Sequence, residues 1–264
     1  MLKYLKIFYE DLLNSYYHRH IWINLALMEI KSSYRRTKIG PLWITISTII
    51  LLISIGPLYA LIFKVDFKSY FVYLACGFTF WGFIKDTTLE NTTQYVHSRG
   101  YILSEPYPLT LYIFKSLIKN IIILAHNMSV VIIAVFFFSN EFNFLNLIIF
   151  IFGFLLNCLI LFFVGISIAI ICLRYRDVSN IIQNIFTVFF FITPILWKPS
   201  LIEGKLSFMY GNIFSSMIEI MRGPLLNESI PLLSFVITFV GLLISVLIAG
   251  ILFGKYKSRI ALWS

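Results

Sequence analysis

The side chains that could do chemistry in this chain are few, and they lie at the ends of apolar segments. Charged residues make up 12% of the 264 residues, whereas 59% are apolar. The densest basic run contains Arg35, Arg36 and Lys38. A guanidinium group forms paired hydrogen bonds with phosphate oxygens, so this run could bind a phosphate group. The sequence equally allows a simpler role, in which these cations only reach the lipid headgroups beside an apolar segment.

Motifs of catalysis and of metal or nucleotide binding are absent from the sequence. It has no GxxxxGK[ST] phosphate loop, no HExxH metal motif and no GxSxG nucleophile turn. Cys76, Cys158 and Cys172 each lie within an apolar run and lack a second cysteine at CxxC spacing, which is typical of packing residues. We therefore expect no catalytic site and no bound cofactor or metal in this chain. Any active transport would draw its energy from a partner.

The composition indicates which elements must position these groups. A soluble domain has about 45–50% apolar and about 25% charged residues, and the mean hydropathy here is +0.89. This much apolar surface cannot be buried in a soluble core of that size, so the surplus must face lipid. The net charge is +9, and the charged residues lie at the ends of apolar segments. This distribution is typical of membrane topology and not of a nucleic-acid-binding face.

Six apolar stretches approach the length of about 20 residues that a helix needs to cross the hydrocarbon core. They are 41–63, 70–85, 118–138, 144–172, 179–197 and 232–254. The expected fold is an all-α integral membrane protein with six transmembrane helices in residues 41–264. Residues 1–40 are expected to form a cytoplasmic region that begins with an amphipathic helix. That helix could lie in the headgroup region or pack on the protein's own cytoplasmic end.

The distribution of basic residues predicts the orientation of these segments. With the N-terminus inside, sixteen Lys and Arg residues lie on the cytoplasmic side and five on the other. Cytoplasmic loops carry the excess of Lys and Arg. Both termini are therefore expected in the cytoplasm. Residues 86–117 form the longest cytoplasmic loop, and residues 198–231 are too long for a simple outer turn.

Three stretches resemble the ABC-2-type permeases that export bacterial surface polysaccharides. They are LMEIKSSYRRTKIGPLW (27–43), LRYRDVSNIIQNIFTVFFFITPILW (173–197) and YGNIFSSMIEIMRGPLL (210–226). The chain departs from the family at Asn212-Ile213, where Asn-Pro is frequent. The resemblance implies a type V exporter permease in the bacterial inner membrane. It implies a homodimer bound by two separate ATPase subunits, which use ATP and Mg.

The resemblance also implies the cargo and where it is received. The expected cargo is a lipid-linked polysaccharide, above all O-antigen on undecaprenyl diphosphate, and Arg35, Arg36 and Lys38 would meet the carrier's headgroup. Two alternatives stay open. One is the same architecture with a capsular polysaccharide or teichoic acid as cargo, and the other is a membrane enzyme acting on lipid-linked sugars.

The remaining candidate residues lie in the loops. In such exporters a short coupling helix in the first long cytoplasmic loop contacts the ATPase, and we expect it ahead of Pro106 and Pro108. The candidates are Tyr95, Ser98, Arg99, Tyr101, Leu103 and Glu105. Arg174, Arg176 and Asp177 form a turn that could be a second ATPase contact, or a local Arg–Asp pair. Residues 198–231 are expected to form a re-entrant region on the outer side. In this region Glu219 and Arg222 could form part of an outer gate, or simply pair on one helix face.

Overall fold

The chain folds as helices throughout the part that a computed structural model describes, which is residues 2–35, 37–138, 144–199 and 211–263. No strand occurs in these ranges. The ten helices are α1 (Leu2–Tyr17), α2 (Arg19–Ser33), α3 (Leu42–Phe63), α4 (Phe67–His97), α5 (Arg99–Ser104), α6 (Thr110–Phe138), α7 (Phe144–Arg174), α8 (Asp177–Ile192), α9 (Ile213–Leu225) and α10 (Leu232–Trp263).

Four of these helices are long and apolar enough to cross a membrane: α3, α6, α7 and α10. They contain four of the six predicted spans. The predicted span 70–85 lies inside α4, a helix of 31 residues whose second half is polar. The predicted span 179–197 overlaps α8, which has 16 residues and is therefore about 24 Å long.

The end of α8 corrects the predicted boundary of that span. Thr193 is extended, with φ −78° and ψ 138°, because the ring of Pro194 disfavours the helical conformation in the residue before it. Residues 193–197 therefore leave the helix, and the predicted continuous helix to Trp197 is wrong. The carbonyl groups released here become acceptors for side chains of α4 and α9.

The amphipathic helix α1 packs on α10, which is one of the two positions that the sequence left open. Gly250 and Gly254 form a small-residue face on α10, and α1 crosses it there. A Cβ atom on Gly254 would lie 2.5 Å from the Cα of Tyr4. Phe8 of α1 packs against Phe253, with ring centroids 5.4 Å apart.

The helix α7 forms the centre of the bundle, in contact with α4, α9 and α10. Two glycines allow this close packing. A Cβ atom on Gly153 would lie 2.6 Å from the carbonyl oxygen of Ile220, and one on Gly165 would lie 2.5 Å from the amide nitrogen of Asn91. We call the end of the bundle that carries α1, α5 and the last turns of α10 the terminal end, and the other the α9 end.

Candidate functional site

A network of charged side chains joins α2, α4 and α6 at the terminal end. Lys115 and Lys119, one turn apart on α6, both donate to Glu29 of α2, at 2.5 and 2.6 Å. Lys119 also forms an ion pair of 2.9 Å with Glu90 of α4, which accepts a hydrogen bond from Asn120 at 2.8 Å. Three helices are thus held together by alternating charges.

The charge state of Glu29 follows from these contacts. Burial by itself would raise the pKa of Glu29, but hydrogen bonds and positive charges from Lys115 and Lys119 outweigh it, so the pKa lies below its usual value. Sequence reasoning missed this network, because it treated the two lysines only as cytoplasmic charges. Their spacing of four residues at the start of an apolar helix is the signal that could have indicated a shared acidic partner.

A second polar cluster attaches α1 to the start of α6. Asp11 accepts hydrogen bonds from the backbone nitrogen of Thr110 at 3.0 Å and from its hydroxyl group at 2.9 Å. It therefore caps α6 from another helix, where a free N–H group and the helix dipole favour a carboxylate. Lys257 of α10 forms an ion pair with the same carboxylate at 2.7 Å. The first helix is thus fixed to both α6 and α10.

The predicted coupling segment forms a separate short helix, α5, which ends at Ser104 ahead of Pro106. Tyr101 and Leu103 are 52% and 58% exposed. Arg99 and Glu105 are exposed as well. Tyr95 and Ser98 are buried, so their side chains do not reach this surface.

The buried members of the predicted segment instead connect α5 to α4. Ser98 is both the C-cap residue of α4 and the N-cap residue of α5. Its hydroxyl group accepts a hydrogen bond from the side-chain amide of Gln94 at 3.2 Å. No flexible linker separates the two helices. A displacement of α5 would therefore act directly on α4.

The turn between α7 and α8 lacks the predicted local Arg–Asp pair. In the described part of the chain, neither Arg174 nor Arg176 lies within 4.0 Å of the Asp177 carboxylate. The guanidinium of Arg174 instead lies over the ring of Trp263, 5.1 Å from its centroid. Asp177 occupies the first turn of α8, where the helix dipole favours a negative charge.

The basic run lies in the turn between α2 and α3. Arg35 and Lys38 are exposed there, and Arg36 lies outside the described residues. The turn is fixed by the hydroxyl group of Thr37, which donates to the carbonyl of Tyr34 at 2.9 Å and accepts from the nitrogen of Gly40 at 3.1 Å. Gly40 has φ +63°, a conformation that glycine adopts without strain.

At the α9 end, Arg222 is 1% exposed and is the largest fully buried side chain in the part of the chain that the structure describes. It donates to Glu219 at 2.6 Å, which confirms the pairing predicted from their spacing. It also donates to the carbonyl of Pro194 at 2.7 Å, and its guanidinium lies 4.0 Å from the ring centroid of Tyr73. The Tyr73 hydroxyl group donates to the same carbonyl at 2.8 Å. Arg222 therefore joins α9 to α4 and to the chain that follows α8.

Asn212 holds the beginning of α9 in the same cluster. Its side-chain oxygen accepts from the backbone nitrogen of Phe214 at 3.0 Å, and its amide donates to the hydroxyl group of Thr193 at 3.1 Å. Ile213 takes the first helical position, where proline is compatible with a helix. The departure from Asn-Pro therefore leaves the cap intact.

Sequence reasoning also missed a polar face on α8. Four exposed polar side chains recur along this helix at spacings of three and four residues, and so share one side. They are Asn180, Gln183, Asn184 and Thr187. The opposite side is packed, with Phe189 against Phe214 at a centroid distance of 5.1 Å. Polar groups on an apolar helix of a membrane protein face a partner helix or water and not lipid.

The comparison with known families agrees with this architecture. A profile of the ABC-2 type transporter family matches residues 22–226, which is more than three quarters of the chain. The match extends from α2 to the end of α9 and so includes the basic run, α5, the polar face of α8 and the Arg222 cluster. No curated protein matches the chain. The chain therefore belongs to the ABC-2 type transporter family, and it is a membrane component with a permease role.

Proposed function

We propose that this chain is the permease subunit of a transporter that exports a lipid-linked polysaccharide, with O-antigen on undecaprenyl diphosphate as the cargo. The observation that carries the proposal is the polar face of α8. A second copy of the chain would complete a path between two such faces, lined by amides that hydrogen-bond to sugar hydroxyl groups. A small apolar cargo would not need this row of exposed amides.

The energy for export would come from two separate ATPase subunits, which bind ATP and Mg and contact the terminal end. The exposed apolar side chains of Tyr101 and Leu103 suit a protein cleft better than water. Arg99 and Glu105 would border that contact, and the turn between α7 and α8 would provide a second one through Arg176 and Asp177. With the terminal end in the cytoplasm, the transporter would lie in a bacterial inner membrane.

The helix α4 would transmit the closure of the ATPase subunits across the membrane. It has 31 residues, so it is about 45 Å long. At one end it continues into α5, and at the other Tyr73 contacts Arg222. Movement of α5 would thus reach the α9 end, where Glu219 and Arg222 would form part of an outer gate.

The basic run would receive the diphosphate of the lipid carrier. Glu29, the carboxylate that precedes it on α2, is already occupied by Lys115 and Lys119. It therefore does not neutralise Arg35 or Lys38. Exposed cations without an acidic partner attract a phosphate group and hold it by charge-assisted hydrogen bonds.

Deletion of the gene in the native host tests this function. We expect full-length polymer to disappear from the surface and to accumulate inside on undecaprenyl diphosphate. Polymer that is never made, or that reaches the surface chemically altered, would assign the chain to synthesis or modification. Accumulation on a phospholipid anchor would contradict the O-antigen assignment.

Complementation then tests the polar face of α8. The variant Gln183→Leu/Asn184→Leu removes two amides, and we expect it to insert normally and to restore little surface polymer. The matched control, Ile181→Leu/Ile185→Leu, changes two exposed apolar residues of the same helix and should restore export. Full export by the first variant would refute a path along this face.

A further inference from the structure

A cavity of about 590 Å³ lies between α7 and α10 at the terminal end. Its volume is in the range of cavities that hold small ligands. Ile171 and Leu252 provide apolar walls, and Arg174 and Arg259 lie among the lining residues on the last turns of the two helices. The cavity thus combines an apolar interior with two cations from different helices.

The cavity is separate from the contacts that hold the fold together. Successive residues of a helix are about 100° apart, so the cavity side of α10, which carries Leu252, Tyr256 and Arg259, is opposite the side of Gly250 and Gly254 that packs on α1. The neighbouring cation Lys257 belongs to the α1 side and is paired with Asp11. The space is therefore not a gap left by the packing of α1.

The two arginines of the cavity have no acidic partner among the described residues. Arg174 lies over the ring of Trp263, which holds its guanidinium near the cavity without neutralising its charge. Arg259 is exposed and has no carboxylate within 4.0 Å in the described ranges. Two unpaired cations beside an apolar space favour the binding of a ligand that has both an anionic group and a hydrocarbon chain.

The aromatic side chains of the cavity agree with such a ligand. Tyr256 and Trp263 lie side by side with ring centroids 5.5 Å apart. Tyr and Trp are frequent at the depth of the lipid headgroups, and this pair lies at the arginine-bearing end of the cavity. Ile171, 38% exposed, lies one helical turn deeper and faces outward, where an acyl chain would run.

We propose that this cavity binds one anionic phospholipid of the surrounding leaflet, with its phosphate between Arg174 and Arg259 and an acyl chain along Ile171 and Leu252. The bound lipid joins the α7–α8 turn to the last turn of α10, because each helix supplies one arginine. It is a structural ligand of the permease, distinct from the exported cargo, and its binding does not depend on which cargo is exported.

The test measures binding of phosphatidylglycerol to the purified, delipidated full chain by native mass spectrometry, with phosphatidylcholine as the neutral reference. A basic side chain at a membrane surface contributes roughly a fivefold gain in affinity for an anionic lipid. We therefore expect Arg174→Gln/Arg259→Gln to lower the affinity for phosphatidylglycerol about 25-fold. The control Lys3→Gln/Lys6→Gln removes two cations from exposed positions on α1 and should leave this affinity unchanged.

A second variant keeps both arginines and fills the apolar part of the cavity. Ile171→Trp should exclude the acyl chain and also weaken phosphatidylglycerol binding, so the proposal can be tested even if the arginine variant fails to fold. Wild-type affinity in both variants would overturn it. Displacement of the lipid by millimolar inorganic phosphate would instead identify a site for free phosphate. Retained lipid with lost ATPase subunits in the arginine variant would identify a protein-docking surface, and either result would overturn the proposal.

Discussion

Replacement of Arg222 by methionine tests whether the cluster at the α9 end holds the bundle together. Methionine keeps much of the volume of the side chain and removes the charge. The substitution leaves the Glu219 carboxylate without its partner and removes the guanidinium from the ring of Tyr73. The carbonyl of Pro194 still accepts from the hydroxyl group of Tyr73, so it is not left unpaired.

The magnitude follows from these contacts. Breaking a buried ion pair by removal of one partner costs about 3–5 kcal/mol. The side chain of Glu219 is 26% exposed and is therefore partly solvated, so we expect a loss near the lower limit, about 3 kcal/mol. A change of 1 kcal/mol shifts the melting temperature of a chain this size by about 2–4 °C. The expected shift is thus about 6–12 °C downward.

The assay is the thermal unfolding of the purified permease in detergent. The fraction that stays folded after heating at each temperature is measured by size-exclusion chromatography. Arg35→Met is the matched control, because it removes an exposed arginine, and it should shift the melting temperature by less than about 2 °C. The double variant Arg222→Met/Glu219→Gln should recover part of the loss, because no unpaired carboxylate remains. A melting temperature of Arg222→Met equal to that of Arg35→Met would refute the reasoning.

Three further predictions concern the terminal end. The pKa of Glu29 is lowered in the folded chain, so its ion pairs stabilise the fold at pH values above the unfolded pKa of about 4.3. This stabilisation is lost as the pH falls through the folded pKa. The variant Glu29→Gln should therefore lose less stability than the wild type in an acid titration. Gly254→Ala should lower the stability by about 1–3 kcal/mol and expose α1 to proteolysis, whereas Gly100→Ala, which meets no atom within 4 Å, should not. Tyr101→Ala/Leu103→Ala should leave the melting temperature unchanged and weaken co-purification of the ATPase subunits, and undiminished binding would contradict the role of α5.

The sequence predicts those features that depend on neighbouring residues along the chain. The pair of Glu219 and Arg222 follows from a spacing of three residues on one helix. The end of α5 before Pro106 follows from the restriction that proline places on the residue before it. Four of the six predicted spans, those in α3, α6, α7 and α10, follow from length and hydropathy alone.

The contacts between distant segments could not be predicted in this way. The partners of Glu29 are more than 80 residues away along the chain, at Lys115 and Lys119. The spacing of these two lysines indicates a shared acidic partner, but it does not identify which carboxylate that partner is. The same holds for Asp11, which caps α6 from α1. The predicted Arg–Asp pair is wrong because of another distant contact. The aromatic ring of Trp263, far away along the chain, supplies a partner for Arg174.

The positions of these distant contacts constrain how α4 could move in the proposed export cycle. Near α5, α4 is held by Glu90 to Lys119, and at the α9 end Tyr73 lies against Arg222. If α4 moved alone, the guanidinium of Arg222 would lose a neighbour while it stayed buried, which is costly. A movement in which α9 and residues 193–197 follow α4 preserves this contact and the hydrogen bonds of Tyr73 and Arg222 to the Pro194 carbonyl. Such a movement changes the packing around α8 instead. Under the proposed function, α4, α9 and residues 193–197 would therefore move as one unit relative to the polar face of α8, and the path between two protomers would open on that side.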